Sequence, residues 1–167
     1  MALVSPSVGA FNVARLGEAL EIIRDAGARM VHIDVSDGHF VPEVAFGVPV
    51  VASIRKATGL VLDVHLLVER PERFVADFVE SGARQIAIHP ESTADLYGTL
   101  RLIRSRGALA GAALLPGTPV ESVGAVLEAL DFVTILSAEP GAAEEIYIPH
   151  STAKLRAASD LRARRGA

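Results

Sequence analysis

Two short polar motifs lie inside apolar runs: His32-Ile33-Asp34 in MVHIDVSDGHFVP and Asp63-Val64-His65 in LVLDVHLLV. In an extended strand, residues i and i+2 point to the same face. His32 and Asp34 therefore share a face, and Asp63 and His65 share a face of the next strand. Imidazoles and carboxylates converging at the ends of neighbouring strands are the donor set of a divalent-metal site. Burying them without partners would be costly. The plainer alternative is a hydrogen-bonded structural cluster. Asp63 stands between two roles, orienting a ligand histidine from behind or pairing structurally.

The elements that must position these residues alternate along the chain. Short, mostly continuous apolar runs at 3–8, 30–35, 60–66, 85–89, 109–114 and 132–136 read as strands of a parallel sheet covered on both faces. Helix patterns separate them. One spans 14–26 and stops at Gly27, a good C′ residue. Pro49 and Pro71 sit where first-turn prolines belong. Phe74, Phe78 and Val79 share a helix face before Gly82. Thr118-Pro119-Val120-Glu121 reads as a capping box opening a helix, and a sixth helix is expected over 151–165. The words DAGARMVHIDV, ESGARQIAIH and SRGALAGAALL recur at about the spacing of one βα unit, roughly 25 residues.

This serial pattern fits either a (β/α)8 barrel or an open doubly wound sheet. The polar residues decide. Ser7, His32, Asp34, His65 and His89 all fall near the C-terminal ends of their strands, which converge on one mouth only in a barrel. The expectation is an α/β fold of the (β/α)8 TIM-barrel type. It is represented by about six βα units in a single domain over 1–167, without the last two units.

Composition limits the possibilities. The chain has 167 residues, half of them hydrophobic, with 20 acidic against 16 basic side chains. That length supports one domain with a core, and the mildly negative charge gives no case for nucleic acid or an anionic membrane. Arg156, Arg162, Arg164 and Arg165 read as a solvated helix face. There is no cysteine, which excludes disulfides and thiolate chemistry. No apolar stretch approaches the roughly 20 residues of a membrane span. The segment MALVSPSVGAF lacks the basic and apolar regions of a signal peptide, so the cytoplasm is the expected location. Among other candidates, His89 either reaches the barrel mouth or is a hydrogen-bonded strand-end histidine. His39 shapes its loop, Asp37-Gly38 is a turn signal, and His150 is expected to be exposed.

The motifs VHIDVSDGHFVP, FGVPVV, LDVHLLVERPERF, IHPEST, LLPGTPVE and SAEPG, in this order from Ser5 to about Leu155, closely resemble the ribulose-phosphate 3-epimerase family. The resemblance implies a (β/α)8 barrel that interconverts ribulose 5-phosphate and xylulose 5-phosphate with a divalent metal, whether zinc, iron, manganese or cobalt. It implies metal ligands at His32, Asp34 and His65, and Asp34 as one of two acid/base residues. It implies substrate contacts at Ser7 and His65, and at Gly141, which with Pro140 begins the loop over the sugar phosphate.

The chain also departs from the family pattern. The seventh-strand VDGG-type motif, with its second acid and fourth ligand, is not in this sequence. Gly141-Ala142-Ala143-Glu144-Glu145 stands where the family has a glycine-rich GFGG stretch. Ser36, Leu67 and Leu136 stand for pocket methionines, Gly9-Ala10 for Leu-Ser, and Glu43 for Asn. The leading expectation is a metal-dependent 3-epimerase with a small sugar-phosphate partner. The alternatives are a non-catalytic or incomplete relative that keeps a sugar-phosphate or metal pocket, and a 3-epimerase for another phosphosugar. Sheet edges at 3–8 and 132–136 that lack neighbours predict a homo-oligomer.

Overall fold

A computed structural model of the chain describes residues 3–142 and 146–165. Its centre is a sheet of β1 (Met30–Asp37), β2 (Val44–Ala45), β3 (Val61–Leu67), β4 (Ala83–Ile88), β5 (Leu109–Leu114) and β6 (Phe132–Ile135), in the order β2-β1-β3-β4-β5-β6. All pairs are parallel except β1 with β2. The five parallel strands follow one another in chain order without reversal. A doubly wound sheet would reverse direction at its middle. The architecture is therefore of the TIM-barrel type, and the conflict between the two candidate folds is resolved by strand order.

Helices α1 (Leu16–Asp25), α2 (Val48–Ala57), α3 (Val75–Glu80), α4 (Leu96–Ser105) and α5 (His150–Arg165) occupy the connections. Gly27 and Gly82 follow α1 and α3 with φ of 83° and 109°, a left-handed geometry that glycine adopts without a Cβ clash. Pro49 lies in the first turn of α2 and Pro71 opens a short 3-10 turn before α3. The burial of β1 explains how one strand serves core and site together. Val31, Ile33 and Val35 are buried on one face, while His32 and Asp34 are half-buried on the other. The apolar face packs with Leu20, Ile23, Val51 and Ile54 from α1 and α2 in one core, where each fully buried aliphatic side chain contributes about 1.5–3 kcal/mol.

Four expectations change in the structure. Residues 3–8 do not form a full strand. The segment keeps one parallel bridge, Ser7 to His32, and a 2.8 Å hydrogen bond from His32 N–H to the Pro6 carbonyl, because Pro6 has no N–H with which to extend the ladder. The helix expected over 14–26 is shorter: a 3-10 turn, Val13–Arg15, precedes α1 and is capped by Asn12, whose side chain accepts from Ala14 N–H at 3.0 Å. The capping box is not formed. Val120–Ala129 is a 3-10 helix without a side-chain cap, and the Thr118 hydroxyl instead donates to Glu91 in the loop after β4. Finally, β2 was not anticipated, since two residues carry no readable period. The helix expected over 151–165 begins one residue earlier as α5, and His150 is exposed. Gly111 serves packing: a Cβ there would lie 2.3 Å from the Phe132 ring on β6.

Candidate metal and sugar-phosphate site

The register of β3 on β1 sets His32 opposite Asp63 and Asp34 opposite His65. Two i,i+2 pairs on adjacent strands thereby become a square of alternating imidazoles and carboxylates. Nε2 of His32 is 3.1 Å and Nδ1 of His65 is 2.9 Å from the same oxygen, Oδ1 of Asp34. One ligand atom from each of the three lies within 4.8 Å of the others. Two imidazole nitrogens and a carboxylate oxygen at this separation suit a divalent cation, and the donor set of the site fits one.

The surrounding groups orient the three. Oδ2 of Asp63 is 2.8 Å from Nδ1 of His32, which turns Nε2 of that ring toward Asp34. Ser5 donates to the same Asp63 oxygen at 3.2 Å, and Gln85, opposite Asp63 on β4, adds a further hydrogen bond. Behind His65, Nε2 lies 2.8 Å from Nε2 of His89. The Phe40 ring packs on His89 with centroids 4.8 Å apart. Ser7 donates to Oδ2 of Asp34 at 3.4 Å. Asp34 therefore gives one oxygen to the two histidines and presents the other toward Ser7.

Electrostatics follows from this arrangement. Burial alone would lower the pKa of His32, but its hydrogen bonds to Asp34 and Asp63 and their charges lift it to about 10. Burial likewise pushes the Asp34 and Asp63 carboxyls up, yet the facing imidazoles hold both below the usual carboxylate range. Burial and the neighbouring His65 push His89 down to about 3, so its ring is neutral.

The site opens into a cavity of about 1000 Å³. Ser7, His32, Asp34, His65 and Gly141 all line it. Gly141 has φ 72° and lies against Val41 and Pro42, where a Cβ would come within 3.3 Å of both. The residues expected from the sequence to depart from the family pattern lie here too: Gly9, Ala10, Ser36, Glu43, Leu67 and Leu136 all line the cavity. Glu144 and Glu145 lie outside the described residues. His39 and His150 are exposed and away from the site. Sequence reading did not assign Ser5 or Gln85. Their signal is positional only, one residing two places before Ser7 and the other opposite Asp63. No helix among the described residues is long and apolar enough to cross a membrane.

The chain is similar to known proteins along nearly its whole length. The chain is 40% identical over 166 residues to a ribulose-phosphate 3-epimerase of Synechocystis sp., covering 98% of this chain and 72% of that one. It is 42% identical to the chloroplastic ribulose-5-phosphate-3-epimerase of Arabidopsis thaliana, covering 96% of this chain but only 57% of that protein's length. The Bacillus subtilis ribulose-phosphate 3-epimerase is 36% identical, with 93% and 72% covered. Among solved structures, a mutant tryptophan synthase alpha-subunit of Pyrococcus furiosus superposes with TM-score 0.66 at 16% identity, over 94% of this chain and 72% of that one; this likeness concerns the fold alone. The ribulose-phosphate 3 epimerase family model matches residues 3–167, and the chain belongs to that family.

Proposed function

We propose that this chain carries the metal-binding half of a sugar-phosphate 3-epimerase site and acts on ribulose 5-phosphate, giving xylulose 5-phosphate. The observation that carries the reading is the convergence of His32 Nε2, Asp34 Oδ1 and His65 Nδ1 at the wall of the cavity. A divalent cation held by these three residues would supply Lewis acidity to the carbonyl and hydroxyl oxygens of the substrate. Zinc, iron, manganese and cobalt all suit such ligands.

The chain's own residues perform the rest. The proton at C3 is acidic because C2 carries a carbonyl. Asp34 takes it on Oδ2, the oxygen turned to Ser7 and not to the histidines, and the electron pair moves to the C2 oxygen to give an enediolate. Ser7 holds Oδ2 and a substrate oxygen in reach of each other. His65 and Gly141 complete the wall against which the sugar phosphate lies. Inversion then requires a proton to return on the opposite face from a group other than Asp34. This makes exchange at C3 and formation of product separable events.

The test is solvent-deuterium incorporation at C3 of ribulose 5-phosphate, with and without added divalent metal. Metal-dependent exchange that falls at least about 100-fold in Asp34→Asn supports the reading. Equal exchange in the variant, or none in the metal-loaded protein, overturns the role of Asp34. A second reading is favoured by one specific observation: Ser36, Glu43, Leu67 and Leu136, which differ from the family pattern, all line the cavity. It is a 3-epimerase for a different phosphosugar, and substrate profiling by the same exchange separates the two.

We further propose self-association. Leu3 and Val4, in the segment that leads to the Ser7 bridge, are each 69% exposed, and β6 is half-buried along its length; apolar edges of this kind favour pairing between chains. Sedimentation at micromolar concentration should show a species heavier than one chain. The cytoplasm is the expected compartment, because a phosphorylated sugar does not cross a membrane unaided.

A further inference from the structure

His89 follows β4 and its ring is 0% exposed. Its Nε2 faces Nε2 of His65 at 2.8 Å. At that separation one nitrogen carries the proton and donates, and the other accepts with its lone pair. The ring planes are tilted by 42° with centroids 4.9 Å apart, and Phe40 packs against the other side of His89. The two histidines are therefore confined between apolar and strand-end neighbours, and neither facing nitrogen can turn to water.

Two proton arrangements are open to the pair, each with one proton per ring. In the first, His65 Nδ1–H donates to Asp34 and His89 Nε2–H donates to His65 Nε2, which leaves His89 Nδ1 bare. In the second, His65 donates through Nε2–H to His89, its Nδ1 becomes a lone pair on the side of Asp34, and the His89 proton sits on Nδ1. That Nδ1 is buried and has no well-formed hydrogen bond among the described residues; Glu91 Oε2 lies 3.8 Å from it, and the ring also meets the backbone of Ala113. The first arrangement strands only a lone pair. The second turns an N–H toward the Glu91 carboxylate. Moving between them gains and loses no proton overall.

A cation shared with His32 and Asp34 can bind His65 only through an unprotonated Nδ1. We propose that His89 is a positioning residue whose Nε2 accepts a hydrogen bond from His65 Nε2–H and thereby holds His65 in the tautomer that presents Nδ1 to the metal. The assignment rests on the metal-site reading above. Asp63 plays the corresponding part behind His32, but with the opposite nitrogens: Nδ1 is anchored and Nε2 is presented. With a cation bound, the two ligand rings would be held in opposite tautomers by two different partners, a carboxylate behind His32 and an imidazole behind His65.

The experiment uses zinc alone as the probe and the whole chain labelled with nitrogen-15 in its histidine rings. In the zinc-loaded protein, the ring spectra should show His65 protonated on Nε2 and His89 protonated on Nδ1. A His89 ring that carries its proton on Nε2 in that state overturns the proposal. In parallel, zinc affinity is measured by competition with a chelator. His89→Leu should bind about 10- to 100-fold more weakly, and His89→Gln, whose amide oxygen can accept, should recover part of that loss. Unchanged affinity in His89→Leu overturns the role of His89 and leaves the three ligands standing. Failure of the unaltered protein to bind zinc removes the metal reading and this inference together. Should the leucine variant not fold, the spectra of the unaltered protein decide the matter.

Discussion

Oδ2 of Asp63 lies 2.8 Å from Nδ1 of His32, directly across the register of β3 on β1. The carboxylate anchors the ring from behind while Nε2 points to Asp34. Asp63→Ala should therefore weaken divalent-metal binding about 10- to 100-fold, because a ligand ring without its outer partner loses orientation and basicity. Asp63→Asn should weaken it less, since the amide oxygen still accepts from Nδ1–H. Zinc competition titration on the three proteins checks the order.

Asp37 gives a pH dependence remote from that cluster. Its Oδ1 accepts from the backbone N–H groups of His39 at 2.8 Å and Phe40 at 3.0 Å, and its Oδ2 from that of Glu69 at 2.8 Å. Burial is the largest single influence and raises its pKa, but these three donors together outweigh it and hold the carboxyl below its ordinary value. A depressed folded-state pKa contributes stability above the unfolded value, about pH 4, and loses it as pH falls through the folded value. Asp37→Asn should thus be less stable than the unaltered chain at pH 6. The gap should close on acidification below about pH 4. Urea unfolding across that range measures it; a gap that widens in acid contradicts the assignment.

Lys154 on α5 is 5% exposed and its Nζ donates to the carbonyls of Leu115 and, at 3.3 Å, Pro116. It ties the last helix to the loop after β5. Lys154→Met removes the donor and leaves the half-buried Leu115 and Pro116 without a charged partner for their carbonyls. The expected loss is about 1.5–3 kcal/mol, the range for hydrogen bonds to charged groups. Chemical denaturation with an unchanged m-value would register it as stability and not as a change in compactness.

Ser36 makes the opposite prediction. Its residue is 6% exposed and its hydroxyl has no hydrogen-bond partner among the described residues. A buried polar group without a partner costs about 1–3 kcal/mol. Ser36→Ala should stabilise the chain by about 1 kcal/mol after the small loss of packing. Destabilisation in the same unfolding assay would reveal that the hydroxyl is satisfied in solution.

Much of this protein was legible in its sequence. The i,i+2 spacing of His32 with Asp34 and of Asp63 with His65 put each pair on one face through strand periodicity alone. The recurring βα words announced serial units, and the motif set from Ser5 to Leu155 pointed to the family that the comparisons bear out. Local chemistry also set the glycine stops at Gly27 and Gly82. What periodicity could not supply was register. Only the pairing of β1 with β3 places Asp63 behind His32 and joins His65 to Asp34, because cross-strand partners are chosen by packing between segments about 30 residues apart. The same holds for His89, whose contact with His65 joins the residue after β4 to β3 across the intervening helix α3. The capping box failed for a related reason: Thr118 had an equally good partner in Glu91, distant in sequence but adjacent in space. Covalent spacing determines which side chains share a face, whereas sheet order and register decide which of them meet.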